Sequence, residues 1–208
     1  MGGALSSRTV PIEPPAFSTA IGRPRVPGAA RAAHMGDFPD SHLPASGFLI
    51  TSQYENVKTN GLWATIQPFA DISDVYAFGS YPSVPLDGPD SGFTAATLPD
   101  DYYAPIRARL GSSRPVAFVE LGPPAAPSGF FSAGSEQEQA DFIRRLFAVL
   151  PAGTSLAVWT YLYDPAFLTS IYQPEVADYF SSLGLLRIDP PGLESPGWQE
   201  WQAISSGS

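Results

Sequence analysis

The sequence predicts an α/β domain built on a parallel sheet, and three observations carry that expectation. After residue 46, short apolar runs alternate with segments of helical spacing four times over. The runs are almost continuously apolar, as expected of strands that pair in parallel and lie under helices. Hydrophobic residues make up 44% of the 208-residue chain, enough for a real core. Residues 1–46 read differently: seven prolines and no apolar periodicity make them a disordered Pro/Gly/Arg-rich tail, unable to bury enough surface to offset the entropy of ordering. Residues 47–208 form the folded domain. In the tail, four arginines face only Glu13, Asp37 and Asp40, a balance of +1, so the acidic character belongs to the domain, which carries -10.

Each element has its own signal. Gly47 to Tyr54 is strand-like, and Leu62, Trp63, Ile66, Phe69 and Ala70 recur at helical spacing. The second strand, Asp74-Val-Tyr-Ala-Phe-Gly-Ser-Tyr-Pro82, is closed by its proline, and a loop rich in Pro, Gly and Asp runs on to about Pro99. Residues 100–110 have a helical pattern that Pro105 shortens or kinks, ending at Gly111. The third strand, Pro115-Val-Ala-Phe-Val-Glu-Leu121, is apolar except for one carboxylate. Ser135 with Glu138 predicts a capping box at the start of the next helix. Its apolar face is Phe142, Ile143, Leu146, Phe147 and Leu150, Arg144 and Arg145 approach its negative end, and Pro151 stops it. A fourth strand covers Ser155 to Tyr163, a helix follows from Pro174 to Gly184, and a last helix begins at Ser195-Pro196 and buries Trp198 and Trp201.

Composition removes several classes of function. A net negative chain whose single lysine is Lys58 repels phosphate backbones and anionic lipid, so neither nucleic acid nor a membrane surface is an expected partner. Without cysteine there is no thiol nucleophile, disulfide or thiolate metal site, and the two histidines, His34 and His42, both fall in the tail. No metal or cofactor is called for. No segment approaches the roughly 20 apolar residues of a membrane span, and the N-terminus lacks the pattern of a signal peptide, so the chain reads as soluble, its compartment unspecified.

Strand periodicity leaves an open doubly wound sheet and a closed (β/α)8 barrel as alternatives. The first ranks lower, because no strand runs into a Gly-x-Gly-x-x-Gly or Gly-Lys-Ser/Thr loop that would hold phosphate. A whole barrel takes about 250 residues, so four units over residues 47–208 amount to about half of one. In either architecture ligands bind at the carboxyl ends of strands. Glu120 ends the third strand, where a carboxylate is either a paired structural charge or a working group. Tyr81 ends the second and is placed either to donate a hydrogen bond to it or to pack beneath the loop. Trp159 in the fourth offers an apolar floor for a sugar or a core indole, and Gln53 and Tyr54 at the end of the first offer polar contacts to hydroxyls. Glu55 reads equally as a solvated loop charge, Asp164 as a turn former, and Phe130 and Phe131 as cleft walls or loop seals.

Taken in order, Asp74 to Pro82, Pro115 to Gly122, Gly134 to Phe142, Ala157 to Asp164 and Tyr179 to Leu186 resemble the last four units of retaining glycoside hydrolase barrels, most closely the endo-galactanase-like and cellulase-like branch. The resemblance spans about residues 47–204. It implies a partial TIM barrel equivalent to strands 5 to 8, an oligosaccharide or polysaccharide ligand, and hydrolysis of β-O-glycosidic bonds by double displacement in the complete barrel. By position it makes Glu120 the nucleophile, Tyr81 the strand-six tyrosine and Trp159 the strand-eight tryptophan that floors the sugar subsite.

One departure matters. The acid/base glutamate of that superfamily sits at the end of strand four, before the region this chain matches, and Glu55 lies on another strand and precedes Asn56 instead of following an asparagine. Retaining hydrolysis needs two carboxyl groups about 5 to 5.5 Å apart. Activity in this chain alone is therefore expected to be absent or small. The alternatives are a non-catalytic carbohydrate-binding or structural protein and a half-barrel whose open edges pair with a second copy or with a separately encoded half.

Overall fold

The four apolar runs pair side by side in chain order, β1-β2-β3-β4, every pair parallel. In this computed structural model the described residues are 49–85, 91–187 and 193–206. The expected tail, both histidines and part of the loop before Pro99 lie outside them. The elements are β1 (Leu49–Gln53), α1 (Tyr54–Thr59), α2 (Trp63–Ile72), β2 (Val75–Ser80), α3 (Ala104–Leu110), β3 (Val116–Leu121), α4 (Glu136–Val149), β4 (Thr154–Trp159), α5 (Pro174–Phe180) and α6 (Pro196–Ser206), with a short 3-10 turn at Leu168–Ser170 between β4 and α5.

The two faces of the sheet differ. On one, Tyr76, Phe78, Val116, Phe118, Ala157 and Trp159 meet Ile106 and Leu110 of α3 and Phe142, Ile143, Leu146 and Val149 of α4, with Trp63, Ile66, Trp198 and Trp201 packed around them. On the other, the apolar cluster is made by strands alone: Val75, Ala77 and Ala117, flanked by Val119 and Leu156. A strand order without reversal, with the helical apolar faces gathered on one side, is a single winding. Among the described strands there is no topological switch point of the doubly wound kind.

Local chemistry accounts for the element boundaries. The first strand is shorter than the pattern suggested, because the chain turns at Gln53 directly into α1 and takes Tyr54 and Glu55 off the strand. Pro105 starts α3 instead of kinking it, since a proline in the first turn forfeits no helical hydrogen bond, and Gly111 ends the helix at φ 79°. Ser135 caps α4 by accepting from the Glu138 backbone N–H at 3.0 Å. The return half of the capping box is not made, because the Glu138 carboxylate accepts from Ala95 N–H at 2.6 Å and pins the preceding loop. Arg144 and Arg145 do not complement the end of α4 either. Arg144 reaches Glu200 of α6 at 2.6 Å, and Arg145 reaches Asp100 at 2.6 Å and the Leu98 carbonyl. Ser195 caps α6 through Trp198 N–H at 3.1 Å. Beneath the sheet, Arg114 donates to the Ala70, Asp71 and Ser73 carbonyls at the C-terminal end of α2, satisfying groups that a helix end leaves open.

Candidate functional site at the carboxyl ends of the strands

The site begins with an irregularity in β3. Phe78 of β2 pairs with Phe118, but the next residue, Gly79, pairs with Glu120, and towards β4 the pairing passes from Phe118 straight to Leu121. Both neighbours thus see one extra residue in β3, a β-bulge at Val119-Glu120. Strict alternation would send Glu120 to the same side as Phe118, into the helix-covered core. The bulge sends Leu121 there instead, fully buried, and turns Glu120 out to the opposite face, where it is exposed. Bulges beside functional sites commonly re-aim a side chain in this way.

Gly79 makes room for that carboxylate. A Cβ at this position would lie 3.2 Å from Glu120 Oε2 and 3.0 Å from Gln53 Oε1, so both oxygens converge on the space that a side chain would fill. Gln53 ends β1, pairs with Gly79 and is exposed on the same face. Tyr81 follows β2, and its hydroxyl lies 2.8 Å from Thr160 Oγ1 and 3.4 Å from Glu120 Oε2. The Thr160 hydroxyl also lies 2.9 Å from the Leu121 carbonyl, and the Tyr81 hydroxyl donates to Glu120 across a long, weak 3.4 Å bond. Burial, with the Glu120 charge second, holds the Tyr81 phenol far above its ordinary range, so it stays protonated. Tyr161, half-buried beside Thr160, is also raised, first by burial, then by Tyr172 and Glu120.

Behind this end of the sheet lies a second carboxylate, and it is no solvated loop charge. Glu55 is 2% exposed. Its Oε1 accepts from Ser80 Oγ at 2.5 Å and Tyr102 OH at 3.1 Å, its Oε2 accepts from Gln53 Nε2 at 2.8 Å, and the Tyr81 backbone N–H adds a further bond. Tyr103 OH joins the network through Ser80 at 2.8 Å. Burial pushes the Glu55 carboxyl up, and the hydrogen bonds oppose that shift. No cation is among these partners. The same burial and the Glu55 charge hold Tyr102 and Tyr103 well above the usual phenol range.

Of the expected site residues, Glu120, Gln53 and Tyr81 come together at one end of the sheet. Trp159 and Tyr54 do not join them. Trp159 is buried on the helix side, its ring 5.8 Å from that of Trp201 and its N–H bonded to the Leu183 carbonyl at 2.7 Å, because it lies on the same face of β4 as Ala157. Tyr54, fully buried at the start of α1, donates to the Tyr102 carbonyl at 2.5 Å. Neither ring is presented to a ligand on the face of Glu120. Asp164 accepts from Gly184 N–H at 2.6 Å, twenty residues away, so its carboxylate joins two loops. Phe131 is buried with Tyr81, Tyr179 and Leu183, with Phe130 against them, so these rings seal a loop. Reading residues singly missed Gly79, Thr160 and Tyr161. The Gly-Ser-Tyr run was the one local hint of the first, because a glycine inside an apolar strand often marks a bulge or a close approach.

Among the described residues no group of three or more His, Cys, Asp or Glu side chains is placed to hold a metal, and no helix is long and apolar enough to cross a membrane. An apolar hollow between the first two strands and α2, lined by Ile50, Ile66, Phe69 and Leu110 among others, lies on the helix side.

No protein-family model and no curated protein matches the chain. Similar solved structures include the glycoside hydrolase family 17 β-1,3-glucanosyltransferase from Rhizomucor miehei, with 18% identity and a TM-score of 0.45 over 69% of this chain and 52% of that one. The GH113 β-mannanase AaManA from Alicyclobacillus acidocaldarius shows 18% identity and a TM-score of 0.41 over 79% of this chain and 46% of that one. A GH2 β-galacturonidase from Eisenbergiella tayi shows 13% identity and a TM-score of 0.42 over 76% of this chain and 31% of that one. The chain thus spans about half the length of these proteins or less, and what stands on its own residues is an α/β domain with one parallel four-stranded sheet.

Proposed function

We propose that this domain is a glycoside hydrolase-like partial barrel that binds a β-linked oligosaccharide at the carboxyl ends of its strands, with Glu120 in the position of a retaining nucleophile. The observation that carries this reading is the β3 bulge, which places a single exposed carboxylate between Gln53 and Tyr81 where parallel α/β folds bind ligands. In a complete barrel the Glu120 carboxylate would attack the anomeric carbon as the bond to the leaving oxygen breaks. A second carboxyl group would protonate that oxygen and then activate the water that hydrolyses the glycosyl ester. Glu55 does not fill the second role, because its oxygens are buried and already occupied by donors. The chain alone is therefore a binding module with no turnover, or nearly none.

The test is calorimetric titration of the full chain with β-linked hexaoses, together with turnover of aryl β-glycosides. Saturable binding that Glu120→Gln alters supports the reading. Absence of any oligosaccharide binding, or turnover indifferent to Glu120→Gln, would falsify it.

A second reading, in which a partner completes the barrel, is favoured by the two sheet edges. Among the described strands β1 and β4 each pair on one side only, and Leu49 and Val158 are exposed on them. Unpaired strand edges are templates for another chain. Sedimentation decides it: a dimer with Glu120-dependent turnover supports completion by a second copy, and a monomer at high concentration counts against it.

A further inference from the structure

We infer that the slot over Gly79 selects a protonated amine, so that the oligosaccharide this site takes is an amino sugar polymer in preference to a neutral or acidic one. The inference rests on the carbohydrate-binding reading above and names its ligand class.

The argument is one of donors and acceptors. Gln53 donates its Nε2 to Glu55, and this fixes which end of the amide faces the cleft: the carbonyl oxygen, 3.0 Å from where a Gly79 Cβ would stand. Glu55 is the positioning residue here. Buried, and held by Ser80, Tyr102 and the Tyr81 backbone, it has no freedom to release the amide. On the other side of the slot stands Glu120 Oε2, 3.2 Å from the same point. Among the described residues its hydrogen-bond donor is Tyr81, at 3.4 Å, a long and weak bond. No ion pair among the described residues includes Glu120.

The slot therefore presents two acceptors, one of them anionic, with no strong donor between them. A sugar hydroxyl has a single proton and satisfies one of the two. An ammonium group has three protons and a charge, and it bonds Gln53 Oε1 and the Glu120 carboxylate at once. A uronate would set its own carboxylate against Glu120.

The experiment titrates the full chain with hexamers of β-linked glucosamine, glucose, galactose and mannose, below the pKa of the amine. The glucosamine hexamer is expected to bind at least tenfold more tightly than any neutral hexaose. Gln53→Leu, which leaves the net charge unchanged, is expected to reduce that preference to less than threefold. Gly79→Ala, which fills the slot with one methyl group, should do the same and serves if Gln53→Leu fails to fold. Equal affinity for a neutral hexaose overturns the inference and leaves the carbohydrate reading standing. A preference that survives Gln53→Leu and Gly79→Ala also overturns it, since the attraction is then only of a polycation to an acidic protein. Failure of every hexamer to bind sinks both readings.

Discussion

Gln53 and Glu120, on strands that do not touch each other, meet across Gly79 of the strand between them, each with an oxygen within 3.2 Å of the point where a Gly79 side chain would begin. Three facts make this meeting: the β1–β2 register, the absent Cβ, and the one-residue bulge in β3. An added methyl asks the exposed Glu120 carboxylate and the Gln53 oxygen to give by only a few tenths of an ångström, so Gly79→Ala should fold. Relief of the glycine's conformational entropy is worth about 0.4 to 1 kcal/mol and offsets the crowding, leaving stability within about 1 kcal/mol of wild type. Oligosaccharide affinity should nonetheless fall at least tenfold. Urea denaturation and calorimetry together check this, and retained affinity would show that the slot is not where the ligand sits.

Glu55 gives a pH signature. Burial raises its folded-state pKa above the ordinary value of 4.5, so the folded protein holds that proton more tightly than the unfolded chain. Its contribution to stability is fully present below the unfolded pKa and is lost as pH rises through the folded one. Urea midpoints of the wild type measured from pH 4 to pH 8 should therefore decline relative to those of Glu55→Gln, whose amide does not titrate. Parallel profiles for the two proteins would refute the assignment.

Trp159 tests the burial of its indole on the helix side. Trp159→Ala should cost about 3 to 5 kcal/mol, as expected for loss of a large buried ring. Trp159→Phe should cost less, losing the indole bond to Leu183, and should leave the Kd for any bound oligosaccharide within twofold. A large change in Kd with little change in stability would put the indole in the site after all.

Arg114 closes the C-terminal end of α2 through three carbonyls. Arg114→Ala should lower stability by about 1 to 2 kcal/mol, and Arg114→Lys should recover only part of it, because an ammonium lacks the planar fork. Ligand affinity should not move, since this end of the sheet is opposite the site. Full recovery by lysine would mean that charge alone is at work.

The apolar runs of this chain determined by themselves the four strands, their parallel class and the helix faces that cover them. Burial is paid by side chains whose spacing is visible one residue at a time: Phe142, Ile143 and Leu146 lie where the 3.6-residue period puts them. The Pro and Gly boundaries were legible for the same reason, since Pro105 and Gly111 act through their own φ. Glu120 could be singled out from its place at the end of an apolar run. Which way it faces was decided only in three dimensions, because a bulge is a property of pairing with two neighbouring strands and leaves no period of its own. Tertiary structure also separated Glu55 from Glu120, burying among hydroxyls the carboxylate whose surroundings in sequence suggest a loop and exposing the one that ends an apolar run. It sent Trp159 to the core because face follows register, and a single strand carries no record of which of its two faces the helices will cover.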